Sequence, residues 1–266
     1  MKRVINVNEY INYNYKKAVK KPNTIEKNDF CPFCKVDKLT NIIYQQEGRI
    51  LLENKFKTIK DAEQFVIIET NLCNKNMLNY TKKEMFLVIN FAISNWIKLS
   101  SSGKYKSVIL FKNHGKLSGG SIKHSHMQII GFNNLNYIEN INKEYFYGST
   151  IFKNSNLIIN ISNTPKITST EFNIIIIDKI NNYNHELIIS DLAKSIQLLI
   201  KYICEDFYIK CESFNIFFYE FKNKIICKII PRFITSPIYI GYNLIYLSNL
   251  KETIIKDLIE KTSKLL

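Results

Sequence analysis

Apolar residues recur along this chain in two rhythms: every second position in short runs, and every third or fourth in longer ones. Residues 41–56 (NIIYQQEGRILLENKF) hold two short apolar runs about Gly48 and predict a hairpin. FVIIE (65–69) predicts a strand. Thr81 and Glu84 form a capping box opening a helix whose apolar positions are Met85, Val88, Ile89, Ala92, Ile93 and Trp96. That spacing gives one apolar stripe, suited to packing on a sheet. SVILFKN (107–113) predicts a strand running into a glycine loop, and HSHMQIIGF (124–132) predicts the next. Residues 1–30 are polar and irregular and read as an arm.

The second half repeats the layout. NIIIID (173–178) resembles FVIIE, and Ser190 follows Asp178 by twelve residues, as Thr81 follows Glu69. Both Ser190 and Thr81 are expected as helix caps. A helix (190–208), the strand FNIFFYEF (214–221) and the run NKIICKIIPRF follow, the last standing where the first half has its histidines. The expected fold is α+β, with two tandem related halves, 1–140 and 141–266, built from mainly antiparallel sheets flanked by helices. LKETIIKDLIEKTSKLL closes the chain as an amphipathic helix.

A chain of 266 residues with 46% hydrophobic content buries a full core. Its net charge of +14 attracts anions, but the lysines are dispersed, and no helix-turn-helix, finger or RNA-recognition signature accompanies them. Anionic small molecules are therefore better expected partners than nucleic acid. No apolar run is long enough to span a membrane, and no apolar stretch follows the N-terminal charges. A cytoplasmic protein is expected. Its six cysteines then read as reduced thiols or metal ligands.

The chemistry concentrates in residues 111–132, which hold three of the four histidines. Alternation along a strand would set His124, His126 and Gln128 on one face. Ser118, Gly119, Gly120 and Ser121 precede them; freed backbone amides and hydroxyls of this kind cradle phosphate oxygens. An imidazole beside such a cradle points to nucleophilic nucleotidyl or phosphoryl transfer. Cys31 and Cys34 have the spacing that lets two thiolates grip one ion, and equally that of two packed thiols or a redox pair.

The run Asn113, Gly115, Gly119, Ser121, His124, His126, Gln128 follows the pattern N-x-G-x-x-x-G-x-S-x-x-H-x-H-x-Q. It resembles the galactose-1-phosphate uridylyltransferase branch of the histidine-triad superfamily. Cys31-Pro32-Phe33-Cys34 resembles that family's zinc knuckle, and Asn54-Lys55-Phe56 its nucleoside-binding turn. VIIET (66–70) resembles its strand before a metal ligand, and Tyr239-Ile240-Gly241-Tyr242 its hexose segment. The resemblance implies a histidine-triad-like fold and a covalent nucleotidyl-histidine on His126. Its Nδ1 proton would be held by a backbone carbonyl, so that Nε2 attacks. Ser121, Asn113 and amides near Gly119 and Gly120 would stabilise the transferring phosphoryl group. Asn54, Lys55 and Phe56 would hold the nucleoside, and Tyr242 and Asn243 the sugar.

Gln128 stands where the superfamily's hydrolases have histidine. A carboxamide exchanges no proton at neutral pH, which favours transfer or phosphorolysis over hydrolysis. The resemblance implies a structural zinc on Cys31, Cys34, Cys73 and His124, with Cys73 at the place of a usual histidine. Departures are Asn243 for the family's hexose-binding glutamate, Lys20, Lys21 and Pro22 for its arginines, and Pro231 and Arg232 for a second histidine pair. Arg232 or Lys228 would contact a phosphate or form a salt bridge. The implied partners are a nucleotide sugar or other nucleotide donor and a phosphorylated acceptor, with UMP the expected moiety. A dinucleoside polyphosphate or nucleotide-sugar phosphorylase and a non-catalytic nucleotide-binding module remain alternatives. Dimers are frequent in the family, so a homodimer is one assembly the resemblance allows.

Overall fold

The structure, a computed structural model, describes residues 10–27, 30–178, 180, 185–221 and 224–265. Residues 1–9 and 28–29 of the expected arm lie outside the described residues. The first half carries helix α1 (Tyr15–Ala18), strands β1 (Ile42–Gln46), β2 (Arg49–Glu53) and β3 (Ala62–Ile68), helix α2 (Lys82–Ser100), and strands β4 (Ser107–His114) and β5 (His126–Phe132). The second carries β6 (Gly148–Lys153), β7 (Leu157–Ser162), β8 (Phe172–Ile176), helix α3 (His185–Lys201), β9 (Phe214–Phe221), β10 (Lys224–Pro231), α4 (Pro237–Tyr242) and α5 (Lys251–Leu265).

Strand order is β1-β2-β3-β5-β4 in the first half and β6-β7-β8-β10-β9 in the second. Pairing is antiparallel from β1 through β2 and β3 to β5, and from β6 through β7, β8 and β10 to β9. The duplication thus extends to strand order, with one long helix entered between the third and fourth strands of each copy. By contacts the chain forms two compact units. The first takes everything up to Asn74 with Phe91–Leu110 and Ser121–Ile141; the second takes Lys75–Asn90, Phe111–Gly120 and everything from Asn142.

Local chemistry explains most elements. Glu47 and Gly48 adopt φ of 46° and 80°, the paired left-handed residues a two-residue hairpin loop requires. The Thr81 N–H donates to Glu84 Oε2 at 2.8 Å, and the Glu84 N–H donates to Thr81 Oγ1 at 3.2 Å, so the capping box closes as expected. The bond from Lys75, then that Thr81 N–H, pulls the Glu84 carboxyl down to about 2. The predicted stripe of α2 is buried throughout, and Trp96 Nε1 donates to the Val108 carbonyl at 3.0 Å. In α5, Ile254, Ile255, Leu258 and Thr262 are buried.

Two expectations change. Ser190 lies inside α3, not at its cap: the buried Ile188 and Ile189 extend the apolar stripe towards the N-terminus, so the helix has begun by His185. His124 precedes β5, which begins at His126, so the two histidines do not alternate within one strand. Of the two roles open to Lys228, the structure shows the salt bridge. Its Nζ is buried in the second unit, 2.8 Å from Glu171 Oε2, 2.9 Å from the Tyr145 carbonyl and 3.2 Å from Asn173 Oδ1. The β6–β7 hairpin has no counterpart in the sequence reading, because GSTIFK shows no clean alternation. Asn154 Oδ1 makes its turn by accepting from the N–H groups of Asn156 and Leu157, and Asp191 holds the Asn154 and Asn156 amides. Among the described residues no helix is long and apolar enough to cross a membrane.

Breaking the buried pair with Lys228→Met removes the cationic partner of Glu171, leaving it only the N–H groups of Ile167 and Thr168; about 3–5 kcal/mol of stability is lost, measured as a fall in the urea midpoint. The depressed Glu84 pKa means that its contribution is present at neutral pH and is lost as pH falls from 4.5 to about 2. In Glu84→Gln, thermal unfolding scans show that part of the acid dependence removed.

Candidate functional site

The antiparallel register fixes which face carries the chemistry. His126 lies opposite Ile68 and Gln128 opposite Val66, while Ile68 and Val66 lie opposite Ile50 and Leu52. Opposed residues share a face. Phe33 packs with Ile50, Leu52, Val66 and Ile68, with Cys31, Leu39 and Ile122 at the margin. The loop bearing Cys31 and Cys34 is thereby seated by its own phenylalanine on the face that presents His126 and Gln128.

Here the ligand atoms of Cys31, Cys34, Cys73 and His124 all lie within 4.8 Å of one another. Cys31 Sγ and Cys34 Sγ stand 3.6 and 3.7 Å from His124 Nδ1. Zinc–sulfur bonds near 2.3 Å and zinc–nitrogen bonds near 2.0 Å at tetrahedral angles separate S and N by about 3.5 Å. His124 Nε2 is 2.7 Å from the Thr70 carbonyl. A carbonyl only accepts, so Nε2 carries the proton and Nδ1 turns its lone pair to the thiols. Burial pushes the Cys31 thiol up and the Cys73 thiol to about 12, the neighbouring thiols adding to the rise at Cys73. Such a trio ionises when a cation compensates it. The cluster is a candidate metal centre whose donor set suits zinc.

His126 is buried, 7% exposed, and its Nδ1 lies 2.8 Å from the carbonyl of His124. Nδ1 is therefore the protonated nitrogen and Nε2 carries the lone pair. The Phe33 ring meets both imidazoles edge to face, at 5.9 Å from His124 and 5.5 Å from His126. Between them, Ser125 Oγ donates to buried Glu69 at 2.8 Å, and the Glu69 N–H donates to the Ser125 carbonyl at 3.2 Å. The sequence reading used Phe33 only as part of the knuckle, and Glu69 only as a strand end. Their signal was position: Phe33 between the paired cysteines, Glu69 at the end of a strand leading towards Cys73.

Elsewhere in the first unit, the N-terminal arm is pinned. The Thr24 N–H donates to the Ser121 carbonyl at 2.8 Å, and the Lys123 N–H donates to Thr24 Oγ1 at 2.7 Å. Half-buried Ser121 and Gln128 keep their expected places before and on β5. Asn54 Oδ1 accepts from the Phe56 N–H at 2.9 Å, so the proposed nucleoside turn is closed on itself, with Lys55 exposed.

The second unit holds Asn113, Gly119 and Gly120. Gly115 has φ 80°, and a side chain there would begin 2.3 Å from the Glu212 carbonyl, so this loop packs too closely for anything larger. Gly119 is left-handed at φ 82°, with open space on its side-chain side. Asn113 Oδ1 accepts from Asn215 Nδ2 at 2.7 Å. His114 stacks on Phe214 at 4.6 Å, and His185 Nε2 lies 2.6 Å from Asn90 Oδ1; both serve packing. Tyr242 is 77% exposed, and Asn243 caps α4 in a left-handed conformation.

Residues 13–135 match the N-terminal domain and residues 138–262 the C-terminal domain of a family described as domain of unknown function DUF4931. A DUF4931 family protein of Bacillus cereus ATCC 10987 is 42% identical over 84% of this chain and 99% of its own, with a TM-score of 0.74. A GalT-like protein of Arabidopsis thaliana is 15% identical over 86% of this chain and 91% of its own, with a TM-score of 0.69. An ADP-glucose phosphorylase of the same plant, solved with bound ADP-glucose, is 14% identical over 91% and 92%, with a TM-score of 0.68. These two likenesses show a shared fold. No curated protein matches the sequence.

Purified protein is expected to carry about one zinc per chain by elemental analysis. Cys31→Ser releases it and lowers the melting temperature, and a strong chelator reproduces both effects on the unmodified chain.

Proposed function

The chain belongs to the DUF4931 family, and on that footing we propose that it is a nucleotidyltransferase working through a covalent nucleotidyl-His126. The observation carrying this reading is the 2.8 Å contact between His126 Nδ1 and the His124 carbonyl. It supports the tautomer whose Nε2 lone pair would serve as the nucleophile. Nε2 attacks the α-phosphorus of a nucleotide donor, a P–N bond forms, and the P–O bond to a sugar phosphate or other phosphate breaks. An acceptor phosphate oxygen then attacks the same phosphorus and breaks the P–N bond, returning His126 to its starting state.

In this reading Gln128 hydrogen-bonds the phosphoryl group without delivering a proton to water, which preserves the intermediate for an acceptor. Ser121, Asn113 and the amides about Gly119 and Gly120 stabilise the charge that develops in transfer. Asn54, Lys55 and Phe56 receive the nucleoside, and Tyr242 and Asn243 the sugar side of the donor. The metal, taken as zinc, is structural. It ties the Cys31–Cys34 loop to His124, whose carbonyl orients the nucleophile. The proposed substrates are a nucleotide sugar and a sugar 1-phosphate, with UMP as the moiety transferred. Asn243 in the place of a glutamate weakens galactose as the particular sugar.

Intact-mass spectrometry of the protein with a panel of nucleotide sugars and dinucleoside polyphosphates, no acceptor present, tests the reading. A nucleotidyl increment is expected, absent in His126→Asn, and its mass names the base. Discharge by a sugar 1-phosphate supports the transferase, whereas discharge by orthophosphate alone supports a phosphorylase. Donor binding without any increment sinks covalent catalysis in favour of a nucleotide-binding module.

A further inference from the structure

Asn113 poses a problem of direction. A phosphate presents acceptors only, so a carboxamide serves it with Nδ2 and repels it with Oδ1. The two ends are nearly alike in shape, and a half-turn exchanges them. Something must set which end is presented.

In the second unit, Arg232 Nη1 lies 2.8 Å from Asn215 Oδ1. Asn215 Nδ2 lies 2.7 Å from Asn113 Oδ1 and 3.0 Å from the Ser118 carbonyl. A guanidinium has five N–H donors and no acceptor, so Asn215 must turn its oxygen to Arg232. A backbone carbonyl has no donor, so Asn215 must turn its nitrogen to Ser118. These constraints agree, and Asn215 is 1% exposed. Asn113 then meets a donor and must answer with Oδ1. Asn113 Nδ2 is then the end turned away from Asn215.

We propose that Asn215 and Arg232 are positioning residues that lock the Asn113 carboxamide with Nδ2 presented to a phosphate oxygen of the nucleotide. This rests on the nucleotidyl-transfer reading for the identity of the ligand. The lock itself rests on donor and acceptor direction alone. It gives the half without catalytic histidines a role in the reaction: Arg232 occupies the place of the missing histidine pair, and its backbone N–H is held by the Ser213 carbonyl at 2.7 Å.

Two measurements test it. In the unmodified protein, NMR hydrogen exchange of side-chain amides needs neither turnover nor ligand. The Asn215 amide is expected to exchange slowly and the Asn113 amide fast; a protected Asn113 amide beside a fast Asn215 amide overturns the lock. The near-isosteric Asn215→Asp keeps an oxygen for Arg232 but offers Asn113 no donor, so Asn113 turns its Nδ2 inward. The rate of adduct formation at His126 is expected to fall roughly 100-fold, the scale of losing one charge-stabilising donor. The fall appears in the rate at saturating donor, with the melting temperature preserved. A folded Asn215→Asp with an unchanged adduct rate overturns the proposal. Absence of any adduct in the unmodified protein sinks the nucleotidyl-transfer reading instead, and the exchange experiment then decides the lock by itself.

Discussion

One imidazole ties together the chemistry of the first unit. His124 spends both ring nitrogens and its backbone on three different tasks. Nδ1 faces the thiols of Cys31 and Cys34, Nε2 sits on the Thr70 carbonyl, and its own carbonyl holds Nδ1 of His126. Each assignment forces the next. The Thr70 bond fixes the tautomer that lets Nδ1 act as a ligand, and the fixed ring holds the carbonyl that sets the tautomer of His126. A metal in the cluster would therefore help to hold the orientation of His126.

Phe33 turns that chain of bonds into a packed structure. Its ring lies against both imidazoles and among Ile50, Leu52, Val66 and Ile68, so apolar burial and ligand geometry act on the same loop. Below it, Ser125 and buried Glu69 fasten the residue between the two histidines.

The two halves show what one strand order can carry with different side chains. The first presents imidazoles and thiols. The second, in the same order, fills its interior with Lys228, Glu171, Asn173 and Asn160. Three donors, from Ser162, Asn173 and Lys228, converge on the single carbonyl of Tyr145. A buried network of this kind is costly unless each member is satisfied, and it makes the covering loop specific in place. Lysine alone in a sequence reads as a surface charge; only its partners show that Lys228 is interior.

Much was legible in the residues themselves, because the information was local or periodic. Thr81 and Glu84 announced their reciprocal cap, Gly48 its turn, and the stripe from Met85 to Trp96 its buried face. By resemblance, the run from Asn113 to Gln128 pointed to His126 and His124, and the knuckle cysteines with Cys73 completed a set of metal ligands that the structure brings together. Tertiary structure decided what periodicity does not carry. It began β5 at His126, with the ring of His124 before it claimed by the thiols and Thr70. It began α3 by His185, because Ile188 and Ile189 find a core. It also chose the direction of the Asn113 amide, through partners about a hundred residues away in the chain. Sequence patterns report which side chains share a face; they do not report which atom of a side chain meets a donor and which an acceptor. That distinction exists only once the partners are placed.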